Sequence, residues 1–122
     1  MILLAWSFSS DKPVYLQIAD RITKSVLSGD FRAGEQIPTV RQLAMEAAVN
    51  PNTVQRAFSE LEHEGLIISK GTTGRYVTED VQVIKHCQNK MAEQIVMEFI
   101  NNMEQLSISK EQAIAMIKGE VK

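Results

Sequence analysis

The residues with most to offer chemically lie between Asn50 and His63. The amides of Asn52 and Gln55 can bond an adenine edge with two hydrogen bonds, and the guanidinium of Arg56 can bond guanine or a phosphate. At helical spacing Asn52, Arg56, Ser59 and His63 share one face, with Thr53 and Gln55 on its flanks. The opposite face carries Val54, Ala57, Phe58 and Leu61 at i, i+3, i+4 and i+7. Charge is graded along the same stretch. Arg56 stands in the first half, and Glu60, Glu62 and Glu64 crowd the second. Phosphates repel the acidic end, so the first half, with the positive end of the helix dipole, is the part suited to a major groove. Asn52 has a second use, stabilising the helix start. Elsewhere, Arg41 could fix orientation through a phosphate. Lys70 and Arg75 bracket a glycine-containing hairpin loop, where they could reach phosphate or the minor groove, or be plain surface charge.

Catalytic chemistry finds little to work with. His63 and His86 have no second His or Cys at ligand spacing other than Cys87, which is adjacent to His86 and so points about 100° away on a helix. Cys87 sits in an apolar stripe as a core or interface residue. No paired carboxylates and no Ser/His/Asp set stand out. The expectation is therefore no enzyme, no metal and no cofactor. One cysteine cannot form an internal disulfide. The apolar start, Met1 to Phe8, is short and lacks a basic n-region, and no run reaches the ~18 residues of a membrane span. Cytoplasmic placement and no membrane partner are expected. Net charge is −2 over 122 residues, and residues 11–77 are neutral, with eight basic and eight acidic residues. Any nucleic-acid contact must rest on a few placed cations.

The elements that must carry these residues follow from periodicity and punctuation. Ile2, Leu4, Trp6 and Phe8 alternate as a short strand or extended arm. Asp11-Lys12-Pro13 opens a helix, with Pro13 in its first turn and Tyr15, Ile18, Ala19, Ile22 and Val26 as its stripe; Gly29 ends it. Phe31 to Gln36 is a connector with Gly34 at a turn. Thr39 and Gln42 form a capping box for a helix burying Val40, Leu43, Ala44 and Ala47. After Ala48-Val49, Asn50 caps the next helix, with Pro51 at its first position, and Gly65 stops it. Leu66–Ser69 and Arg75–Val77 pair as a hairpin. Thr78 caps a long helix to about Gln105, bearing Ile84, Cys87, Met91, Ile95, Phe99 and Met103 on one side. Ser109 and Gln112 cap a final helix with Ile114, Ile117 and Val121.

Helix, helix, tight turn, helix and hairpin is the order of a winged helix-turn-helix. Four blocks of residues then carry a resemblance: Pro13-Val-Tyr-x-Gln-Ile18, Ile37-Pro-Thr-Val-Arg-Gln-Leu43, Val49-Asn-Pro-Asn-Thr-Val-Gln-Arg-Ala57 and Leu61-Glu-x-Glu-Gly-Leu-Ile67. In this order they resemble the GntR family of transcription regulators over roughly residues 11–78. The Asn50-to-Ala57 segment and the short tail resemble its YtrA subfamily. The resemblance implies a phosphate contact for Arg41 and recognition-helix positions for Asn50, Asn52, Thr53, Gln55 and Arg56. It implies a wing glycine at Gly74 that lets the hairpin approach DNA, a two-helix tail as dimer interface, and repression, often of transporter operons. Thr39 departs from the family's usual Ser, Pro51 and Gln55 from its frequent arginines, and Arg75-Tyr76 from the usual Thr-Phe of the wing.

The fold expected is mainly α (α+β): residues 1–10 as an arm, 11–78 as the winged head, 79–122 as two dimerisation helices. A helix of ~27 residues would be about 40 Å long, more than a small head can cover, so its stripe calls for a second copy. Ile84, Cys87, Met91, Ile95, Phe99, Met103, Ile114 and Ile117 would form that interface. Methionines 91, 97, 103 and 116 could instead offer an adaptable ligand surface, and a small-molecule effector stays open. The partners expected are double-stranded operator DNA with inverted half-sites and a second copy of the chain. The competing reading is a protein-interaction module, whose tail docks a different protein; the neutral head is its best support.

Overall fold

Caps and apolar stripes divide the chain as its sequence implies. The computed structural model describes residues 6–120. Within them run α1 (Val14–Leu27), α2 (Val40–Ala47), α3 (Pro51–His63), β1 (Ile67–Ser69), β2 (Arg75–Val77), α4 (Val81–Gln105) and α5 (Lys110–Ile117). Thr39 and Gln42 cap α2 reciprocally, as Ser109 and Gln112 cap α5. Pro13 is the cap of α1, one residue outside the first turn expected for it. The start of α4 also departs from expectation. Asp80, not Thr78, caps it, its Oδ1 accepting from the Gln82 amide at 2.9 Å. Thr78 is buried and its hydroxyl accepts from the Asp80 amide, so it braces the capping residue.

α1 and α2 both pack on α3. Ile18, Ile22, Leu43, Val54, Phe58 and Leu61 meet there, nearly or wholly sealed from solvent. Two further core residues come from the connector: Phe31 and Ile37 are both buried. The connector also adds to the hairpin. β1 pairs antiparallel with one edge of β2, Ile67 opposite Val77. The other edge of β2 receives the connector: the Val77 amide donates to Glu35 O at 2.9 Å and the Ile37 amide to Arg75 O at 3.0 Å, and Gln36 bridges Tyr76. β2 thus has both edges satisfied, and the wing is tied to the core through Ile37.

The described chain falls into two compact units, the first ending at Cys87 and the second beginning at Gln88. This corrects one expected interface residue, Cys87, and gives Ile84 a contact with the head. Cys87 is 3% exposed within the core cluster of the first unit, and Ile84 packs against that cluster. The first turns of α4 belong to the head: Val83, Ile84 and Cys87 pack within or against its core cluster, and the Cys87 thiol donates to Glu64 Oε2 at 3.8 Å. Trp6 and Phe8 also pack on this core, in irregular chain and not a strand; Ile2 and Leu4 lie outside the described residues.

In the second unit, Ser107 at φ +61 reverses the chain after α4, and the Ile108 amide returns to Met103 O at 3.0 Å. Ala113 is buried. Met91 and Met103 are half-buried, while Ile95, Phe99, Ile114 and Ile117 are exposed, Ile117 at 71%. Val121 lies outside the described residues.

The turn between α2 and α3 has a measurable consequence. Ala48 ends α2 in the left-handed region, φ 56 and ψ 47, where a Cβ costs about 1–2 kcal/mol. Replacing it removes that strain but loosens the unfolded chain. Ala48→Gly is expected to raise the unfolding free energy by ~0.5–1 kcal/mol in urea titration; a lower midpoint contradicts the strained turn.

Candidate nucleic-acid interface

The outer face of α3 is built from its first residue. Asn50 adopts an extended conformation, and its Oδ1 accepts from the Asn52 amide at 2.8 Å. Pro51 follows at the position where a missing N–H costs nothing. The Asn50 side chain, expected among the DNA contacts, is therefore engaged in capping. With Val54, Ala57, Phe58 and Leu61 all buried, the rotation of α3 about its axis is fixed. Asn52, Gln55, Arg56, Ser59 and His63 are exposed and Thr53 is half-buried. The Ser59 hydroxyl bonds back to Gln55 O at 3.0 Å.

At about 100° per residue, the two flanks of this face differ. Gln55 and Glu62 lie on one, Thr53 and Glu60 on the other, with Arg56 leaning toward the second. The Gln55 flank meets the wing: Arg75 Nε donates to Glu62 Oε1 at 2.7 Å, and its guanidinium sits 5.1 Å from the Phe58 ring centroid. The opposite flank meets α1: the Arg56 guanidinium lies over the Tyr15 ring, 4.0 Å from its centroid.

These contacts revise what each cation offers. Arg75, expected to reach DNA from the wing, is turned inward onto Glu62. Lys70 stays exposed at the tip, its ammonium 4.8 Å from the Tyr76 ring centroid. Arg41 stands exposed on α2. The expected set thus splits. Asn52, Gln55 and Arg56 share the outer face of α3, with Thr53 at its edge. Arg41 and Lys70 stand on α2 and on the hairpin tip. Asn50 caps, and Arg75 braces the hairpin.

Gly74 earns its place within the chain. Its φ is +127, and a Cβ there would come within 2.5 Å of Gln36 Nε2. Gln36 crosses the hairpin at this point and donates to Thr73 O at 2.9 Å. The loop closes with Lys70 N to Gly74 O at 2.9 Å and Thr73 Oγ1 to Lys70 O at 2.6 Å.

Sequence reading missed three participants: Tyr15, Glu62 and Gln36. Tyr15 belongs to an apolar stripe and to the first resemblance block, and neither signals a contact with Arg56. Glu62 was read as repelling phosphate. The thirteen residues separating it from Arg75 are spanned by the hairpin's return, which spacing alone does not reveal. Among the described residues, no group of three His, Cys, Asp or Glu side chains could hold a metal, and no helix is long and apolar enough to cross a membrane.

Residues 14–77 match the family of bacterial regulatory proteins called gntR. The chain is 33% identical to the uncharacterised HTH-type transcriptional regulator YhcF of Bacillus subtilis, over 91% of its own length and 92% of the relative's. It is 38% identical to the HTH-type transcriptional repressor YtrA of the same species, over 60% of this chain and 56% of that one. Among solved structures, a GntR family transcriptional regulator from Listeria monocytogenes superposes with a TM-score of 0.82 at 40% identity, over 92% of this chain and 98% of that one. The DNA-binding domain of AraR, solved in complex with operator ORE1, superposes at 0.54 with 26% identity, over 62% of this chain and 95% of that one.

The crossing of Gln36 over Gly74 makes a prediction. Gly74→Ala meets both an unfavourable φ and a clash, so it should cost roughly 1–3 kcal/mol and loosen the hairpin. Thermal unfolding and amide exchange at Thr73–Val77 measure both effects; a melting temperature equal to the parent's would show that the loop accommodates a Cβ.

Proposed function

Because the chain belongs to the GntR family of bacterial regulatory proteins, we propose that its winged head binds operator DNA as half of a homodimer and represses transcription there. One observation carries the reading. α3 holds its apolar stripe in the core and turns Asn52, Gln55 and Arg56 outward beside its capped, electropositive N-terminus. Asn52 and Gln55 would read base edges, with Thr53 beside them. Arg41 and Lys70 would meet phosphates on either side and set register. Asn50 and Arg75 serve indirectly, the first by starting the helix and the second by fixing the wing against α3.

Dimerisation is supported by the second unit. Ile95, Val96, Met97, Phe99, Ile114 and Ile117 all stand exposed within twenty-three residues, a concentration of apolar side chains of the kind that marks an interaction surface. A two-fold pair would present two copies of α3 to an inverted repeat. The role is binding, without catalysis, and its site of action is the cytoplasm, with the DNA. The competing interaction module shares the fold, but it gives no reason for amides and a guanidinium to gather at one capped helix start.

Fluorescence anisotropy with DNA from the gene's own upstream region tests the core claim. Salt-sensitive, sequence-selective binding is expected. Arg41→Ala should weaken binding to all sequences similarly and lower the salt slope by about 1; a change confined to one base position would contradict the phosphate role. Phe99→Glu, in the tail, should convert the sedimenting species from dimer to monomer while the head keeps its melting transition. A parent protein that sediments as a monomer removes the dimer from the reading.

A further inference from the structure

We propose that Tyr15 is a positioning residue for DNA recognition, holding Arg56 at the α1 side of α3 so that it grips backbone phosphate and leaves base reading to Asn52 and Gln55. The inference rests on the DNA-binding function proposed above. Its observation is the guanidinium of Arg56 lying 4.0 Å from the centroid of the Tyr15 ring, across the α1–α3 contact.

Three features of the geometry lead to it. The first is direction. Arg56 leaves α3 on the flank that faces α1, so its stacked head is displaced from the line of Asn52 and Gln55 toward the neighbouring helix. Base edges lie along that line, and phosphates lie to its sides when a helix sits in a major groove. The second is order. An exposed arginine samples many rotamers, and a ring beneath its guanidinium narrows them before DNA arrives. A guanidinium over a ring is covered on one side only. Its donors lie in its own plane and remain able to fork onto a phosphate. The third is symmetry of support. Arg75 is held on the wing side by Glu62 and Phe58, and Arg56 on the α1 side by Tyr15. Of these two arginines, the one held by a carboxylate is the one turned inward. Arg56 is held by a neutral ring, which orients it without cancelling its charge.

The test uses the full chain and a labelled fragment of its upstream region, beside a scrambled fragment of equal length, over a range of salt. Arg56→Ala should weaken binding to both fragments by a similar factor, about tenfold, and lower the salt slope by about 1. Arg56→Lys keeps the charge but not the planar fork, and should still lose severalfold. Tyr15→Phe keeps the ring and should bind like the parent. Tyr15→Leu should fall toward Arg56→Ala, and the double variant should be no weaker than Arg56→Ala alone. Multiplying losses in the double variant overturn the proposal, as does parent-like binding by Tyr15→Leu. Tyr15 is half-buried; should its Leu variant fail to fold, Tyr15→Met, which keeps an apolar side chain without the ring, takes its place with the same expected loss and the same overturning result. Loss of preference at a single base pair in Arg56→Ala, or full affinity in Arg56→Lys, overturns the phosphate role. A parent that binds no fragment overturns the functional reading along with this one; a parent that binds while the variants depart from the pattern overturns the role of Tyr15 alone.

Discussion

The burial of one stripe on α3 governs nearly everything the head presents. Val54, Ala57, Phe58 and Leu61 are sealed by α1, α2 and the hairpin. Each large side chain of this kind contributes about 1.5–3 kcal/mol when removed from water. Turning the helix by a single residue, ~100°, would trade Val54 for Gln55 in the core and leave a buried amide without partners. The stripe therefore fixes more than packing. It decides that Asn52 and Gln55 look outward, that Arg56 leans to α1, and that Glu62 leans to the wing. A recognition surface with no rigid framework of its own is held at a defined angle by the apolar surface behind it.

The electrostatics follow from the same setting. The head carries no excess positive charge, so long-range steering contributes little, and placement must do what quantity does in basic DNA-binding proteins. Two of its cations are held over tyrosine rings, Arg56 on Tyr15 and Lys70 on Tyr76. Rings order a cation without neutralising it. The acids are arranged to the same end. Glu62 is engaged with Arg75, and Glu60, Glu62 and Glu64 lie at the far end of α3 from its capped N-terminus. The helix is electrically polar along its length, and that polarity selects the end able to approach a polyanion.

Much of this was legible in the residues, and the exceptions share a cause. Capping boxes at Thr39 and Ser109, the Asn50-Pro51 start and the stripes of α1, α2 and α3 are local signals, read over three to seven residues. What escaped were pairings between segments distant in sequence. Glu35 and Ile37 join the free edge of β2, yet their stretch has neither the length nor the alternation of a strand. Phe31 lies in a connector and gives no periodic hint of its burial. Cys87 has the right spacing for a tail stripe, but it is buried in the head's core cluster together with its neighbours Val83 and Ile84, a contact between distant segments that spacing does not reveal. Thr78 and Asp80 are both fair caps by type. The hairpin's return draws Thr78 inside and leaves Asp80 at the helix mouth. Gly74 shows the same limit: beside the approach to DNA that the resemblance implies, the glycine has a near neighbour no spacing reveals, Gln36, from a loop nearly forty residues earlier.

The second unit shows how far apolar pattern alone can specify an assembly. A two-stranded seam needs an apolar stripe only at a and d positions. Here Ile95, Val96 and Met97 are consecutive and all exposed, with Phe99 and Met103 continuing the surface. Spread over 100° steps, they span about 200°, just over half the circumference of α4. A single facing helix cannot cover such a width. A bundle can, since each helix then touches two neighbours. α5 brings its own exposed Ile114, Met116 and Ile117, which is surface of the kind needed to fill the remaining side. On this argument a pair of chains joined through α4 alone would leave apolar residues in water. In the proposed dimer, the partner would have to offer α4 and α5 together, as a second copy of the same tail would.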